Sequence, residues 1–383
     1  MKPSRQASLI LLAAAMTLQL FACGRAETPV QGSDLAVLAQ QAEGYAEARP
    51  GKPLVFPRDH GPHPDYRIEW WYLTANLSDA QGELYGAQWT LFRVATRPRD
   101  AGSMQGSWQN DQVFMAHMAI TTPTDHVSFQ RYARGADVND LARAGVKTGP
   151  FSAWLDDWVL QSRGEDWLPL EVSARQGDYA FRLNLQSESP LVLQGDSGFS
   201  QKNANGGGSF YYSQPFLQAE GSLVVDGLEI PVSGNAWLDR EWSSQFLQDD
   251  LAGWDWFSLH LDSGEKLMLF QLRQRDDDNT ANNFLHAGLI AADGSVTTLN
   301  PQRIGMQALR RTVVAGRELP LHWRIELPEI KRQFDIEPLH PEQWMNVDFP
   351  YWEGVILVNG AGAENSGRGY LELTGYPATA ERP

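Results

Sequence analysis

The chain has 383 residues, with 47 Asp and Glu against 31 Lys and Arg, a net charge of −16. A body this acidic is a poor partner for nucleic acid or anionic lipid surfaces. With one cysteine it has no internal disulfide, and its stability must come from packing; 14 Trp, 16 Phe and 11 Tyr supply large buriable area and favour strands.

The N-terminus reads as an address. Lys2 and Arg5 form a short positive head, and an apolar stretch follows from Ala7 to Ala22. It is short for a membrane span and fits a secretory h-region. It ends Leu20-Phe21-Ala22-Cys23, close to a lipoprotein cleavage pattern, so residues 1–22 are expected to be a signal and Cys23 the lipidated residue. Gly24 follows, with no Asp to suggest inner-membrane retention, so the expected location is the periplasmic side of the outer membrane. Removing residues 1–22 leaves 29 Lys and Arg against 47 Asp and Glu, a net charge of −18. Residues 23–50, rich in Ala, Gln, Gly and Glu, read as a tether.

From Tyr66 onward short strands are punctuated by Gly, Asp and Asn. The pattern predicts strands over Glu69–Leu77, Leu84–Val94, Val113–Thr121, Val127–Tyr132, Leu168–Ala174, Tyr179–Leu185, Gly221–Val225 and Leu228–Asn235. A second series is predicted over Asp255–Leu261, Lys266–Gln274, Phe284–Ile290, Val296–Leu299, Leu321–Glu326, Phe334–Pro338, Tyr351–Val358 and Gly367–Tyr376. Asn139–Ala144 is at most a turn of helix. The expected class is all-β, a sandwich or barrel rather than βαβ units.

Two segments resemble each other. Trp70-Trp71-Tyr72 leads through Asp79 and Gly82-Glu83 to Leu91-Phe92-Arg93; Trp254-Asp255-Trp256-Phe257 leads through Asp262 and Gly264-Glu265 to Gln271-Leu272-Arg273. Each is an aromatic strand, an acidic-Gly turn and a strand closing on arginine. With the length, this favours tandem barrels over residues 51–233 and 234–377, followed by a tail at 378–383.

Two clusters carry candidate chemistry. Around Glu69-Trp70-Trp71-Tyr72, alternation puts Glu69 and Trp71 on one face and Trp70 and Tyr72 on the other. Glu69 is then either a reluctant carboxylate able to donate a proton, or the partner of Arg93 across the sheet. In Trp237-Leu238-Asp239-Arg240-Glu241-Trp242, Trp237, Asp239 and Glu241 share a face and Arg240 takes the other. Asp239 and Glu241 beside aromatics would protonate an alkene and stabilise the cation, or would form an ion-pair lock with Arg240. His117 reads as a core residue or a ligand contact. No HxH, HExxH, GxSxG or P-loop pattern occurs, so neither metal nor cofactor is expected. Gly206-Gly207-Gly208 reads as a loop, and Asp276-Asp277-Asp278-Asn279 as a hairpin tip.

His63-x-Asp65-Tyr66-x-x-Glu69-Trp70-Trp71-Tyr72, Gly234-x-Ala236-Trp237-x-Asp239-Arg240-Glu241-Trp242, Gly253-Trp254-Asp255-Trp256-Phe257, Tyr351-Trp352-Glu353-Gly354 and Gly367 to Tyr376 together resemble the AttH-like/carotenoid 1,2-hydratase-like family. The resemblance runs from about His60 to Tyr376. It implies two tandem lipocalin-like antiparallel β-barrels and a pocket for a hydrophobic small molecule, lipid or isoprenoid. It further implies either ligand binding or transfer beside an ABC-type transporter permease, or hydration of an isoprenoid double bond, or a non-catalytic transporter subunit. In the binding reading Trp70, Trp71, Tyr72, Trp237, Trp242, Trp254, Trp256 and His117 form walls, while Arg240, Asp255, Glu69, Asp239 and Glu241 orient polar ends. In the hydratase reading Asp239 is the proton donor.

Overall fold

The computed structural model describes residues 43–98, 111–135, 143–203, 205–244, 251–275 and 283–379. Cys23, the signal, the tether to residue 42, the Asp276–Asn279 tip, residues 139–142 and the tail from 380 lie outside these residues. Among the described residues there is no α-helix, only strands and short 3₁₀ turns.

Thirteen strands form the first sheet: β1 Ile68–Ser78, β2 Leu84–Ala95, β3 Gln112–Thr121, β4 His126–Arg134, β5 Ala144–Lys147, β6 Ser152–Leu155, β7 Trp158–Ser162, β8 Leu170–Gln176, β9 Tyr179–Gln186, β10 Val192–Leu193, β11 Phe199–Gln201, β12 Gly208–Val225 and β13 Leu228–Ser243. The second has ten: β14 Leu251–Leu261, β15 Lys266–Gln274, β16 Phe284–Ile290, β17 Val296–Thr298, β18 Gly305–Val314, β19 Arg317–Leu327, β20 Arg332–Pro338, β21 Trp344–Met345, β22 Tyr351–Asn359 and β23 Gly367–Leu373. The first follows the order β4-β3-β2-β1-β13-β12-β9 and onward to β5; the second follows β17-β16-β15-β14-β23-β22-β20-β19-β18. Both therefore descend through four consecutive strands and then jump to their own last strand. The resembling hairpins, β1–β2 and β14–β15, occupy the same place in the two sheets.

Each sheet curls around its own core. In the first, Trp71, Leu73, Trp89, Leu91, Met118 and Leu160 are fully buried, and Phe129 from β4 and Ala144 from β5 reach the same cluster. Opposite ends of the sheet thus close on one interior, the geometry of a barrel filled by side chains. In the second, Phe257, Leu259, Leu321, Ile325, Phe334 and Leu371 do the same. The fold is all-β, with two antiparallel barrel-like sheets in tandem.

The sequence misplaces the junction. Gly234 lies inside β13, which pairs with β1 and β12 along its length, so the segment from Gly234 to Ser243 belongs to the first barrel. The second begins at Leu251. Charge on Asp239, Arg240 and Glu241 disguises this half-strand, although all three are buried. The first half of β12 is disguised by the opposite condition. Gly208 to Phe216 is buried on almost every residue, so alternation is absent, and Pro215 sits where the register with β13 shifts between Gln214 and Leu217. β5–β7 and the Arg-rich edge strand β18 are likewise not anticipated.

A buried ion cluster closes one end of the first barrel. Glu69 accepts from Arg93 Nε and Arg240 Nη2, and its two oxygens also take the His63 backbone N–H at 3.1 and 3.0 Å. Arg93 donates on to Tyr66 O at 2.7 Å, and Arg240 to Gly61 O at 2.7 Å, with its guanidinium 3.8 Å over the Trp71 ring. These bonds tie residues 61–66 across the barrel mouth. Burial opposes ionisation of Glu69, but the two guanidiniums outweigh it and hold its pKa well below the usual carboxylate range. The second barrel repeats the device with Asp255, which accepts from Arg273 Nε at 3.1 Å, Gln271 Nε2 at 2.6 Å and Tyr376 OH at 2.9 Å.

Glu69→Gln leaves two buried guanidiniums facing a neutral group, and is expected to cost about 3–5 kcal/mol in denaturant unfolding. Because the folded pKa is depressed, the Glu69 contribution is complete above the unfolded carboxylate pKa and is lost as pH falls below it. The variant's stability should accordingly respond less to acid than the wild type's; an equal acid response in both would exclude this role.

Candidate functional site

The strands that fill the barrels also face one another. On β1 the residues between the core positions, Ile68, Trp70 and Tyr72, point away from the first interior; on β14, Trp254 and Trp256 point away from the second. Ile68, Tyr72, Tyr211 and Trp237 of the first barrel and Trp256, Met268, Phe270 and Leu272 of the second share one apolar cluster. Within this seam lies a cavity of about 500 Å³. Its apolar walls include Trp70, Phe92 and Met115 on one side and Trp254, Phe270 and Leu272 on the other. Its polar residues include Lys202, Asp239, Glu241, Asp348 and Glu372, with Tyr72, Tyr211 and Tyr351.

Asp239 is held by three donors: Ser213 Oγ at 2.5 Å, Tyr211 OH at 2.6 Å and Trp237 Nε1 at 2.7 Å. Burial pushes its carboxyl up to about 7, against the pull of these bonds, and the charge on Glu241 adds to the rise. Glu241 is paired instead, with Lys202 Nζ at 3.0 Å and the Ser209 hydroxyl. From the second barrel, Glu372 accepts from Trp254 Nε1 at 2.8 Å and Glu353 from Tyr72 OH at 2.5 Å. Glu353 and Glu372 stand opposite each other on β22 and β23. Burial raises both carboxyls; the charge of Glu372 adds to the rise in Glu353, and those of Asp239 and Glu241 to that in Glu372. Three carboxyl groups at this seam thus favour the protonated form far more than a surface carboxylate does.

Trp70, Tyr72, Trp254, Trp256, Asp239 and Glu241 line the cavity as a binding site would require. The remaining candidates do not. Trp71 belongs to the first barrel's core, because alternation turns it inward. Glu69 and Arg240 form the ion cluster, and Trp242 packs with Tyr66, Phe199 and Phe210 behind it. Asp255 faces Arg273 in the second barrel's lock. Trp237 lies behind Asp239 and positions it. His117 is buried, bonded through Nδ1 to Tyr351 OH at 3.0 Å and through Nε2 to Gln130 Oε1 at 3.2 Å, and acts on the cavity only through Tyr351.

Sequence reasoning missed Lys202, Tyr211, Ser213, Glu353 and Glu372. The two glutamates stand inside the closing motifs around Tyr351 and Tyr370, so a signal was present. Tyr211 and Ser213 fall in the half of β12 whose two-sided burial erases alternation. Among the described residues no group of three or more His, Cys, Asp or Glu is arranged to hold a metal.

Paired barrels with an apolar, acid-bearing cavity between them define a tandem β-barrel protein. Residues 47–376 match the AttH-like family, and the chain belongs to it. It is similar to a protein of Nitrosomonas europaea assigned as an AttH, with 35% identity, a TM-score of 0.75, and coverage of 87% of this chain and all of the other. More distant structures share the fold: kievitone hydratase from Nectria haematococca, at 18% identity and TM-score 0.60, covering 88% of this chain and 97% of that one. CghA with Sch210972 matches at 14% identity and TM-score 0.53 over 88% and 97% of the two chains. No curated protein matches the chain by sequence.

The raised Asp239 carboxyl gives a pH signature. A proton held in the fold is stabilising below the unfolded carboxylate pKa, and that contribution is lost as pH rises through about 7. Asp239→Asn is expected to flatten stability between about pH 4 and 7, measured as the denaturation midpoint at each pH. An unchanged slope would exclude the assignment.

Proposed function

We propose that the protein binds an apolar small molecule, a lipid or isoprenoid, in the seam cavity. The observation that supports this most is the cavity itself: aromatic and aliphatic walls from both barrels around a few convergent hydroxyls and carboxyls. Burial of a ligand against these walls supplies affinity at roughly 25 cal/mol per Å² of apolar area. The polar groups would orient a hydroxyl or carbonyl end. A lipidated Cys23 would hold this cavity beside the membrane, where the ligand is handed to or from an ABC-type permease.

A second reading is favoured by the protonated carboxyls. In it Asp239 transfers its proton to one carbon of an alkene, and the cation forms on the other. The Trp254 and Trp256 rings face the charge. Water then adds its oxygen to the cation and returns a proton to the carboxylate, so the net reaction is addition of water across the double bond. A structural neighbour at 18% identity is named a hydratase, which agrees with this chemistry on this fold.

Solvent extraction of the purified mature protein, followed by mass spectrometry, is expected to release a reproducible apolar compound. Trp256→Ala should weaken rebinding of that compound at least tenfold, corresponding to about 1.4 kcal/mol. No compound and no binding would count against the reading. Incubating the compound in oxygen-18 water tests the second reading: label should enter it with the wild type and fail to enter with Asp239→Asn, while binding persists. Cys23→Ser should move the exported protein from the membrane to the soluble fraction; retention there would exclude the lipid anchor.

A further inference from the structure

One turn of the pleat away from the acid groups, the seam changes character. Thr74 and Asn76 of β1, Gln88 of β2, and Ser258 and His260 of β14 are all at most 5% exposed. They lie on the strand faces that the two barrels turn toward each other: Thr74 and Asn76 continue the face of Tyr72, and Ser258 and His260 that of Trp256. Thr74 stands opposite both Gln88 and Trp237. The His260 ring meets the Trp237 ring edge-on at 5.9 Å, which brings the second barrel's polar face onto the first's.

Seven polar atoms here have no hydrogen-bond partner among the described residues: Thr74 Oγ1, both amide atoms of Asn76, Gln88 Oε1, Ser258 Oγ and both ring nitrogens of His260. Each such atom left dry costs about 1–3 kcal/mol, and so many in one layer require an occupant. The set fixes its chemistry. Hydroxyls, two amides and a neutral imidazole mix donors with acceptors and carry no charge; burial, with Lys266 and Arg368 nearby, drives the His260 pKa well below its ordinary value. The set offers a metal ion no carboxylate or thiolate, and those cations repel it. An apolar molecule satisfies none of these atoms. Water satisfies all of them.

We propose that this layer is an internal water site, in which ordered waters bridge the two barrels behind Asp239. At about three hydrogen bonds per buried water, the orphaned atoms accommodate about two or three. A single aromatic layer separates them from the cavity, in which Trp256 meets Trp237 and Tyr72 edge-on at 6.3 and 5.4 Å. Trp237 holds Asp239 through its indole N–H, and the polar strip continues past that layer, because Gln88 Nε2 donates to Thr90 Oγ1 at 2.5 Å and Thr90 stands opposite Tyr72. An apolar ligand filling the cavity would exclude bulk water from Asp239, and the layer would supply the water that the addition step consumes. This supply role rests on the hydration reading above; the water site does not.

Oxygen-17 relaxation dispersion on the ligand-free protein counts long-lived internal waters. The Thr74→Val/Ser258→Ala variant, nearly isosteric at both positions, is expected to lose about two of them. An unchanged count in a folded variant would overturn the proposal. A high-resolution crystal structure of the wild type decides independently of the variant's folding. Waters bridging Thr74, Ser258 and His260 are expected, and a layer closed by direct side-chain bonds would overturn the site. Neither measurement uses a ligand, so a dry layer removes the water site while leaving the cavity reading intact, and failure to bind an apolar compound leaves the count unaffected.

Discussion

The structure depends on β1 and β14 each being buried on both faces. In an isolated barrel a strand hides one face and shows the other to solvent. Here the outer faces of these strands carry Trp70, Tyr72, Trp254 and Trp256, too much aromatic area to leave in water. Packing the two barrels along them creates a third core that neither barrel has alone. A cavity within that core is built from both halves, and either half alone would expose it. The shared strand order, with each barrel's first strand paired to its last, brings β13 and β23 to the same seam. Those strands carry Asp239, Glu241 and Glu372.

The same alternation sorts the carboxylates into two chemistries. Glu69 and Asp239 are both fully buried and lie on adjacent strands, yet their proton affinities move in opposite directions. Glu69 faces two guanidiniums and stays ionised, closing the barrel mouth. Asp239 faces hydroxyls, an indole and another carboxylate, and holds its proton far more tightly. Its three neutral donors do not outweigh the cost of burying charge. Position on one face or the other, a matter of a single residue along β13, decides between an ionised carboxylate and one that holds its proton. Arg240 and Glu241, consecutive in the chain, belong to these two different systems.

That division explains what was legible beforehand. β9 shows one face to solvent, so alternation is visible there and the strand is placed within a residue or two; β2, β3 and β15 expose no residue and are legible instead as β-branched and aromatic runs between turn residues. The aromatic density of Trp70 to Tyr72 and Trp254 to Phe257 marked the seam strands correctly. It did not say which face met the partner barrel, and so Trp71 and Asp255 entered the candidate site beside Trp70 and Trp256. The missing information was tertiary. A run such as Asp239-Arg240-Glu241 does not show which charge meets which partner until the opposing Glu69, Ser209 and Lys202 are known. Glu353 and Glu372 become a pair only when β22 and β23 are set in register.

A cavity between barrels also differs mechanically from one inside a barrel. The interiors here are packed with Trp71, Trp89, Trp352 and their neighbours, and opening either would break its ladder. The seam has no backbone ladder between β1 and β14; each pairs within its own sheet. Side-chain packing and side-chain hydrogen bonds, such as Tyr72 OH to Glu353 and His117 to Tyr351, join the halves, and a small change in the angle between them would widen the cavity while both sheets stayed intact. The aromatic walls would make that opening costly without a ligand. With a ligand inside, their apolar area remains buried against it. The seam is therefore where this fold combines two packed barrels with an apolar cavity between them.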